Sequence, residues 1–243
     1  MITKLQVKYI QSLGQKKIRD EEGVFIAEGP KIINEMLAQG TTVQQLFATD
    51  EWLQLQPASI QTKATLVTAA ELERLSYLST PNQVLGVFKK PNWPVTDYAA
   101  GLNLVLDGIQ DPGNLGTIIR IADWFGIQHI YCSEDCADAF APKVVQSTMG
   151  GIIRVQVAYG AVAGLLAVYP QLPVFAAALN GQSLLGMQPV KQGFLVIGNE
   201  SKGIREEIMQ LCTHKITIPG KGGAESLNAA VATGIIVSHL LEL

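Results

Sequence analysis

From Leu102 to the C-terminus, apolar runs alternate with segments of helical period, and this alternation constrains the fold more than any other feature. The runs "LNLVLDGI", "QHIYCS", "IIRVQVA", "PVFAAAL", "FLVIGN" and "HKITIP" predict strands. Several are apolar almost throughout, as strands are when both faces of a parallel sheet are covered. Helical segments are expected at 114–125, around 143–149, and at 161–169, 205–212 and 226–243. Strands separated by helices predict an α/β fold with a parallel sheet, whose ligands gather at the carboxyl ends of the strands.

Residues 1–95 hold a smaller α/β pattern. "KLQVKYIQSL" reads as an amphipathic helix, "GVFIAEG" as a strand, and "PKIINEMLAQG" as a helix with Pro30 in its first turn and Gly40 at its stop. "VQQLFAT", "ATLVTA" and "VLGVFKK" are further strands, and "AELERLSYL" is a helix. The stretch "KKPNWPVTDYAAG" has two prolines and little periodicity, so it is the expected linker, with domains at 1–95 and 100–243.

With 243 residues, 48% of them hydrophobic, the chain can bury a sizeable core. No stretch of about 20 residues is free of charges and turn signals, which argues against a membrane span. The first residues lack the continuous apolar segment of a signal peptide. Three cysteines point to a reducing cytoplasm without a disulfide framework. Cys132, Cys136 and nearby His129 are too few for a metal site, so buried thiols are expected. The net charge of −3 gives no general attraction to nucleic acid. Charge is uneven, however: Lys4, Lys8, Lys16, Lys17 and Arg19 precede the first acid at Asp20. On charge alone, that cluster is the solvated face of a helix.

Three strands of the second half end in loops of similar chemistry: "QDPGNLGTIIR", "NESKGI" and "GKGGAESLNAAVATG". Glycine lets a ligand approach the backbone, and helix N-termini offer free N–H groups. Three such loops at one sheet edge suggest a composite site. The first loop is not G-x-G-x-x-G, and no Walker G-x-x-x-x-G-K-[ST] occurs, so neither standard phosphate cradle is present. In the helix that follows, Leu115, Ile118, Ile119, Ala122 and Phe125 share one face, with Ile121 at its edge. Thr117, Arg120, Asp123 and Trp124 lie opposite. An Arg120–Asp123 pair at i, i+3 and a second functional surface both fit that face.

The segments "NLGTIIRIADWFG", "FLVIGNESKGI" and "ITIPGKGGAESLNAAVATGI" resemble, in order and spacing, the three motifs of the SpoU (TrmH-like) RNA ribose 2′-O-methyltransferases of the SPOUT superfamily. "KYIQSLGQKKIRDEEGVFIAEGPKII" resembles the ribosomal-protein-like RNA-binding domain that many members carry. The resemblance implies a deep C-terminal trefoil knot, bound S-adenosylmethionine, a homodimer formed through the C-terminal domain, and an RNA substrate, ribosomal RNA before transfer RNA. It gives catalytic roles to Asn114, Arg120, Glu200, Ser226 and Asn228, and places the cofactor against Leu179, Asn180, Gly181, Gly198, Ile218 and Leu227. Lys16, Lys17 and Arg19 become the expected RNA contacts of the first domain. One departure is the run Pro219-Gly220-Lys221-Gly222-Gly223, where many members have a Pro-Met step.

Structural roles compete at some positions. Asn114 and Ser226 suit helix N-caps, and Glu200 suits the dipole of the helix that follows it. Two rival functions stand beside the enzyme: a non-catalytic RNA-binding protein that keeps the fold, and an α/β enzyme for a small nucleotide or metabolite.

Overall fold

A computed structural model describes residues 2–94 and 96–241 of the chain. They form two compact units, residues 2–92 with Asp138–Ile153, and Trp93–Ala137 with residues 154–241.

In the first unit, β1 (Val24–Glu28), β2 (Val43–Ala48), β3 (Thr65–Leu66) and β4 (Val84–Lys89) make a sheet in the order β1-β4-β2-β3. β4 runs antiparallel to both neighbours, and β2 pairs parallel with β3. The helices are α1 (Lys4–Ser12), α2 (Lys16–Glu22), α3 (Pro30–Ala38), α4 (Asp50–Leu53), α5 (Ala58–Gln61) and α6 (Ala69–Glu73). Two of them start on capping boxes, Thr3 with Gln6 and Thr68 with Glu71, which satisfy otherwise orphaned backbone N–H groups. Ile10 and Leu13 bury against Ile26, Phe47 and Val87 to form the core. The helix expected from "AELERLSYL" stops at Glu73, because Ser76 and Tyr77 turn inward to bond Glu28.

The second unit carries a six-stranded sheet, every pairing parallel: β5 (Leu102–Asp107), β6 (His129–Cys132), β7 (Gln156–Tyr159), β8 (Val174–Ser183), β9 (Gly193–Gly198) and β10 (His214–Thr217). The order is β10-β8-β9-β5-β6-β7, so the central β5 and β9 are the apolar runs. All six residues of β5 are buried. α7 (Pro112–Trp124) follows β5. After β6 the chain re-enters the first unit as α8 (Pro142–Thr148), then returns as β7, α9 (Val162–Val168), α10 (Glu206–Met209) and α11 (Ala229–Leu240). α11 packs on α7 and β9. The expected strand at "IIRVQVA" begins only at Gln156, since Ile152 and Ile153 lie in a 3-10 turn.

Segment 138–153 completes the first unit. Phe140 packs on Phe25 of β1, with ring centroids 5.2 Å apart, and Asp138 pairs with Arg19. This corrects one RNA contact expected from the sequence. The Arg19 side chain is only 2% exposed. It donates to the Leu13 carbonyl at 2.7 Å and the Gly14 carbonyl at 2.8 Å, and its guanidinium bonds the Asp138 carboxylate. A buried, paired arginine holds the interior together and is closed to phosphate. Lys16 and Lys17 stay at the surface and pair with Asp20 and Glu21 one turn on, contacts of the weak, exchangeable kind.

Candidate active site

The site grows from the carboxyl end of β5. Asp107 closes that strand at 1% exposure, and Pro112 and Gly113 open α7. The N-cap of α7 is Asp111, not Asn114: Asp111 Oδ1 accepts the Asn114 backbone N–H at 2.8 Å. Asn114 stands in the first turn with its side chain free to reach outward.

That side chain joins two other strand ends. Asn114 Nδ2 donates to Glu200 Oε1, and Asn114 Oδ1 accepts from Asn228 Nδ2 at 2.8 Å. Asn228, not Ser226, caps α11, since its Oδ1 accepts from the N–H groups of Ala230 and Val231. Those two donors fix which end of the Asn228 amide is oxygen, so its nitrogen must face Asn114, whose own nitrogen then faces Glu200. Residues distant in sequence thus form one directed chain that ends on a carboxylate. Glu200 plays no dipole role, because it precedes α10 by six residues and that helix's first turn holds Glu206 and Glu207.

Arg120 lies nearly two turns further along α7 and is exposed. The expected pairing with Asp123 does not occur. Asp123 is held by Arg154, Nε to Oδ1 at 2.8 Å and Nη2 to Oδ2 at 2.7 Å. The Arg120 guanidinium bonds no described residue. Ser226 is also exposed, its hydroxyl without a partner among the described residues. The structure therefore brings Asn114, Glu200 and Asn228 together, and leaves Arg120 and Ser226 outside that chain of bonds.

Sequence reasoning missed the clasp beneath. Arg205, just past the Glu200 turn, donates from its backbone N–H to Asp107 Oδ2 at 2.7 Å and from Nε to Oδ1 at 2.6 Å. Asn199 Nδ2 reaches the Gly108 carbonyl at 2.7 Å, and the 199–203 turn closes as an antiparallel bridge. Gly198 is obligatory there, since a Cβ would meet the Gly203 carbonyl carbon at 2.4 Å. The available signal was a charged residue ending the apolar run "LVLD". Asp135 joins the clasp. The Ser133 hydroxyl, and then the Arg205 charge, hold its carboxyl below the usual range.

Cys132 and Cys136 are buried, and their thiols interact. The bond from Cys132 is the main reason the Cys136 thiol falls to about 7, while Cys132 itself is pushed well up. The His129 ring faces Asn103 Oδ1 at 3.2 Å. Among the described residues, no group of three or more His, Cys, Asp or Glu side chains could hold a metal ion.

Of the cofactor positions expected from the sequence, Leu179, Asn180 and Gly181 lie on β8, Ile218 just past its neighbour β10, Gly198 at the end of β9 and Leu227 before α11. Thr217 Oγ1 donates to the Leu179 carbonyl at 3.1 Å, which ties 179–181 to 217–218. Gly181 accommodates β10, because a Cβ would meet the Lys215 carbonyl carbon and oxygen at 2.6 Å. Leu179 is 70% exposed and Leu227 47%, each an apolar side chain that water does not favour. A separate groove of about 290 Å³ between Leu184, Leu185, Pro219, Ile235 and His239 shares only Ile218 with this set.

Residues 101–238 match the SpoU rRNA Methylase family, and residues 4–86 match the MRM3-like substrate binding domain. The 23S rRNA (guanosine(2553)-2′-O)-methyltransferase RlmP of Bacillus subtilis is 29% identical over 97% of this chain and 95% of its own. A putative RNA methyltransferase of the TrmH family from Porphyromonas gingivalis superposes with a TM-score of 0.87 at 37% identity, covering 99% of this chain and 98% of its own. An AdoMet-bound rRNA methyltransferase from Sinorhizobium meliloti gives a TM-score of 0.86 at 29% identity, covering 99% and 95%.

Proposed function

Because this chain belongs to the SpoU rRNA Methylase family, we propose that it is an S-adenosylmethionine-dependent RNA ribose 2′-O-methyltransferase acting on ribosomal RNA. The observation that carries this reading is the Asn228–Asn114–Glu200 chain of hydrogen bonds, whose central residue shares α7 with Arg120, an arginine without a partner among the described residues. A non-catalytic RNA binder has no use for a directed relay ending on a carboxylate.

When bound, S-adenosylmethionine would supply an electrophilic sulfonium methyl for a ribose 2′-oxygen, with S-adenosylhomocysteine as the leaving group. The residues fit that cofactor: Leu179 and Leu227 offer apolar surface to a heterocycle, and Asn180, Gly181, Gly198 and Ile218 add backbone groups. The chain's own task is alignment, which is worth up to about 7–11 kcal/mol of barrier when well executed. Arg120 acts here as a hydrogen-bond donor. Its fork of N–H donors grips the phosphate beside the target ribose and stabilises the developing alkoxide. The proton passes to solvent or to that phosphate. Asn114 and Asn228 orient Glu200, and Ser226 adds an exposed hydroxyl.

The first unit takes the RNA substrate, with Lys16 and Lys17 on phosphates, and the second does the chemistry. Trp124 (83% exposed), Val231 and Ile235 give α7 and α11 an apolar outer surface suited to a second copy, hence a homodimer through this unit. We read the C-terminal segment as a trefoil knot, a reading supported by the Val190 N–H of the 184–192 loop donating to the Leu240 carbonyl at 2.8 Å. The place of action is the cytoplasm. No helix among the described residues is long and apolar enough to cross a membrane.

The test is methyl transfer from labelled S-adenosylmethionine to unmodified ribosomal and transfer RNA. Label recovered as 2′-O-methylribose in ribosomal RNA, and lost with Arg120→Ala, is the expected result. Cofactor binding without transfer to either RNA would favour the non-catalytic binder.

A further inference from the structure

A pocket of about 210 Å³ opens in the first unit between β1, the 77–78 turn and α8. Ile26, Leu78 and Pro142 wall it with apolar surface, Glu28 is buried in its lining, and Lys143, Gln146 and Ser147 come from α8. Its size is below that of drug-sized sites and suits one small planar group. Glu28 is 4% exposed, and burial pushes its carboxyl up. Its oxygens receive the Ser76 hydroxyl at 2.5 Å and the Tyr77 N–H at 2.8 Å. Two donors leave about half of a carboxylate's acceptor capacity open. The Gln146 amide and the Lys143 ammonium bond no described residue.

A buried carboxylate repels anions and bare acceptors and favours N–H donors. Lys143 argues against a cation and offers a partner for a phosphate. The ligand therefore carries N–H donors on one edge and an anion at the other end, which describes a nucleotide. Among the four bases, guanine alone presents two adjacent N–H donors, at N1 and N2, that a carboxylate accepts side by side. Adenine and cytosine set their amino group beside a ring nitrogen acceptor, and uracil flanks its one N–H with carbonyls.

We propose that this pocket binds an unpaired guanine of the RNA substrate, its Watson–Crick edge on Glu28 and its phosphate toward Lys143. Gln146 serves the remaining base edge. Sequence selection then lies in the first unit, apart from the methyl-transfer site. The proposal rests on the RNA methyltransferase reading, and its test separates the two.

The experiment is titration of the full-length protein with 5′-GMP, and in parallel with AMP, CMP and UMP, followed by backbone amide NMR. GMP should shift the amides of Tyr77, Leu78, Gln146 and Ser147 with an affinity at least 5-fold above the other three. Ser147→Trp, which fills the pocket, and the milder Gln146→Ala with Lys143→Ala should each weaken GMP binding at least 5-fold. Both should leave the melting temperature and S-adenosylmethionine binding unchanged. Equal response to all four nucleotides, no response at these amides, or GMP binding that survives both variants would overturn the proposal. Methyl transfer on the same preparation reports separately on the enzymatic reading. Transfer without GMP binding at these amides sinks the pocket alone.

Discussion

Arg19 at the end of the basic N-terminal cluster and Arg120 on α7 both carry sequence-based functional expectations, an RNA contact for the first and a catalytic role for the second, yet their surroundings are opposite. Arg19 is buried, with two carbonyls and a carboxylate on its guanidinium, while Arg120 stands in solvent with no partner among the described residues. What separates them is the rest of the chain. The counter-ion of Arg19 comes from Asp138, far along the sequence, and the near neighbour that could have neutralised Arg120 is taken by Arg154. An arginine's availability depends on who else reaches its acids.

That contrast can be broken most directly at Arg120. Its loss to alanine should lower turnover by about 10²–10³-fold, the usual effect of removing one transition-state donor, with no change in melting temperature. Arg120→Lys keeps the charge but loses the fork, so turnover should stay depressed at least tenfold in a single-turnover assay. Near-normal rates would shift the role of Arg120 to simple charge.

Arg19→Met should do the reverse. Breaking a buried pair strands Asp138 and should cost about 3–5 kcal/mol of stability in denaturant titration, with methyl transfer per folded molecule nearly unchanged. An intact melting curve with weakened RNA binding would restore Arg19 as an RNA contact.

The relay can be sharpened at Asn228. Asn228→Asp keeps the cap oxygen for Ala230 and Val231 but removes the nitrogen that faces Asn114. Stability should move by less than the ~1 kcal/mol typical of losing a cap, while the transfer rate falls. Unchanged turnover would make Asn228 a cap and nothing more.

The smallest effect belongs to Lys16 and Lys17. Their joint replacement by alanine should leave folding alone and reduce the salt slope of RNA binding by about 2, one per phosphate contact, measured between low and physiological salt. A slope that does not change would move the phosphate contacts elsewhere.

Much of the second unit could be read directly, because period and composition act locally. The continuous apolar runs at 102–107 and 193–198 became the buried centre of the parallel sheet, and the apolar stripe of α7 lies inward as its spacing required. The site was legible as three loops but not as a network. Nothing in "NLGTIIR" states that Asn114 meets Glu200 and Asn228, since the strand order that gathers them is set by packing. Helix starts were misplaced at Asn114 and Ser226 for a related reason. Asp111 and Asn228 compete for the cap with equally good candidates a few residues away, and only backbone geometry decides between them. Arg19 and the Asp107–Arg205 clasp were hidden by distance along the chain.

The excursion of α8 bears on the order in which the protein comes into being. A ribosome that has released the first 95 residues has not released everything its first unit requires, because Asp138 and Phe140 are still to be made. Until β5, α7 and β6 have been synthesised, Phe25 lacks its cover and Arg19 its counter-ion. The N-terminal unit is therefore the first to begin folding and cannot be the first to finish. A gene fragment cut at the linker would encode a body with an open flank, and that flank includes the wall of the pocket beside Glu28.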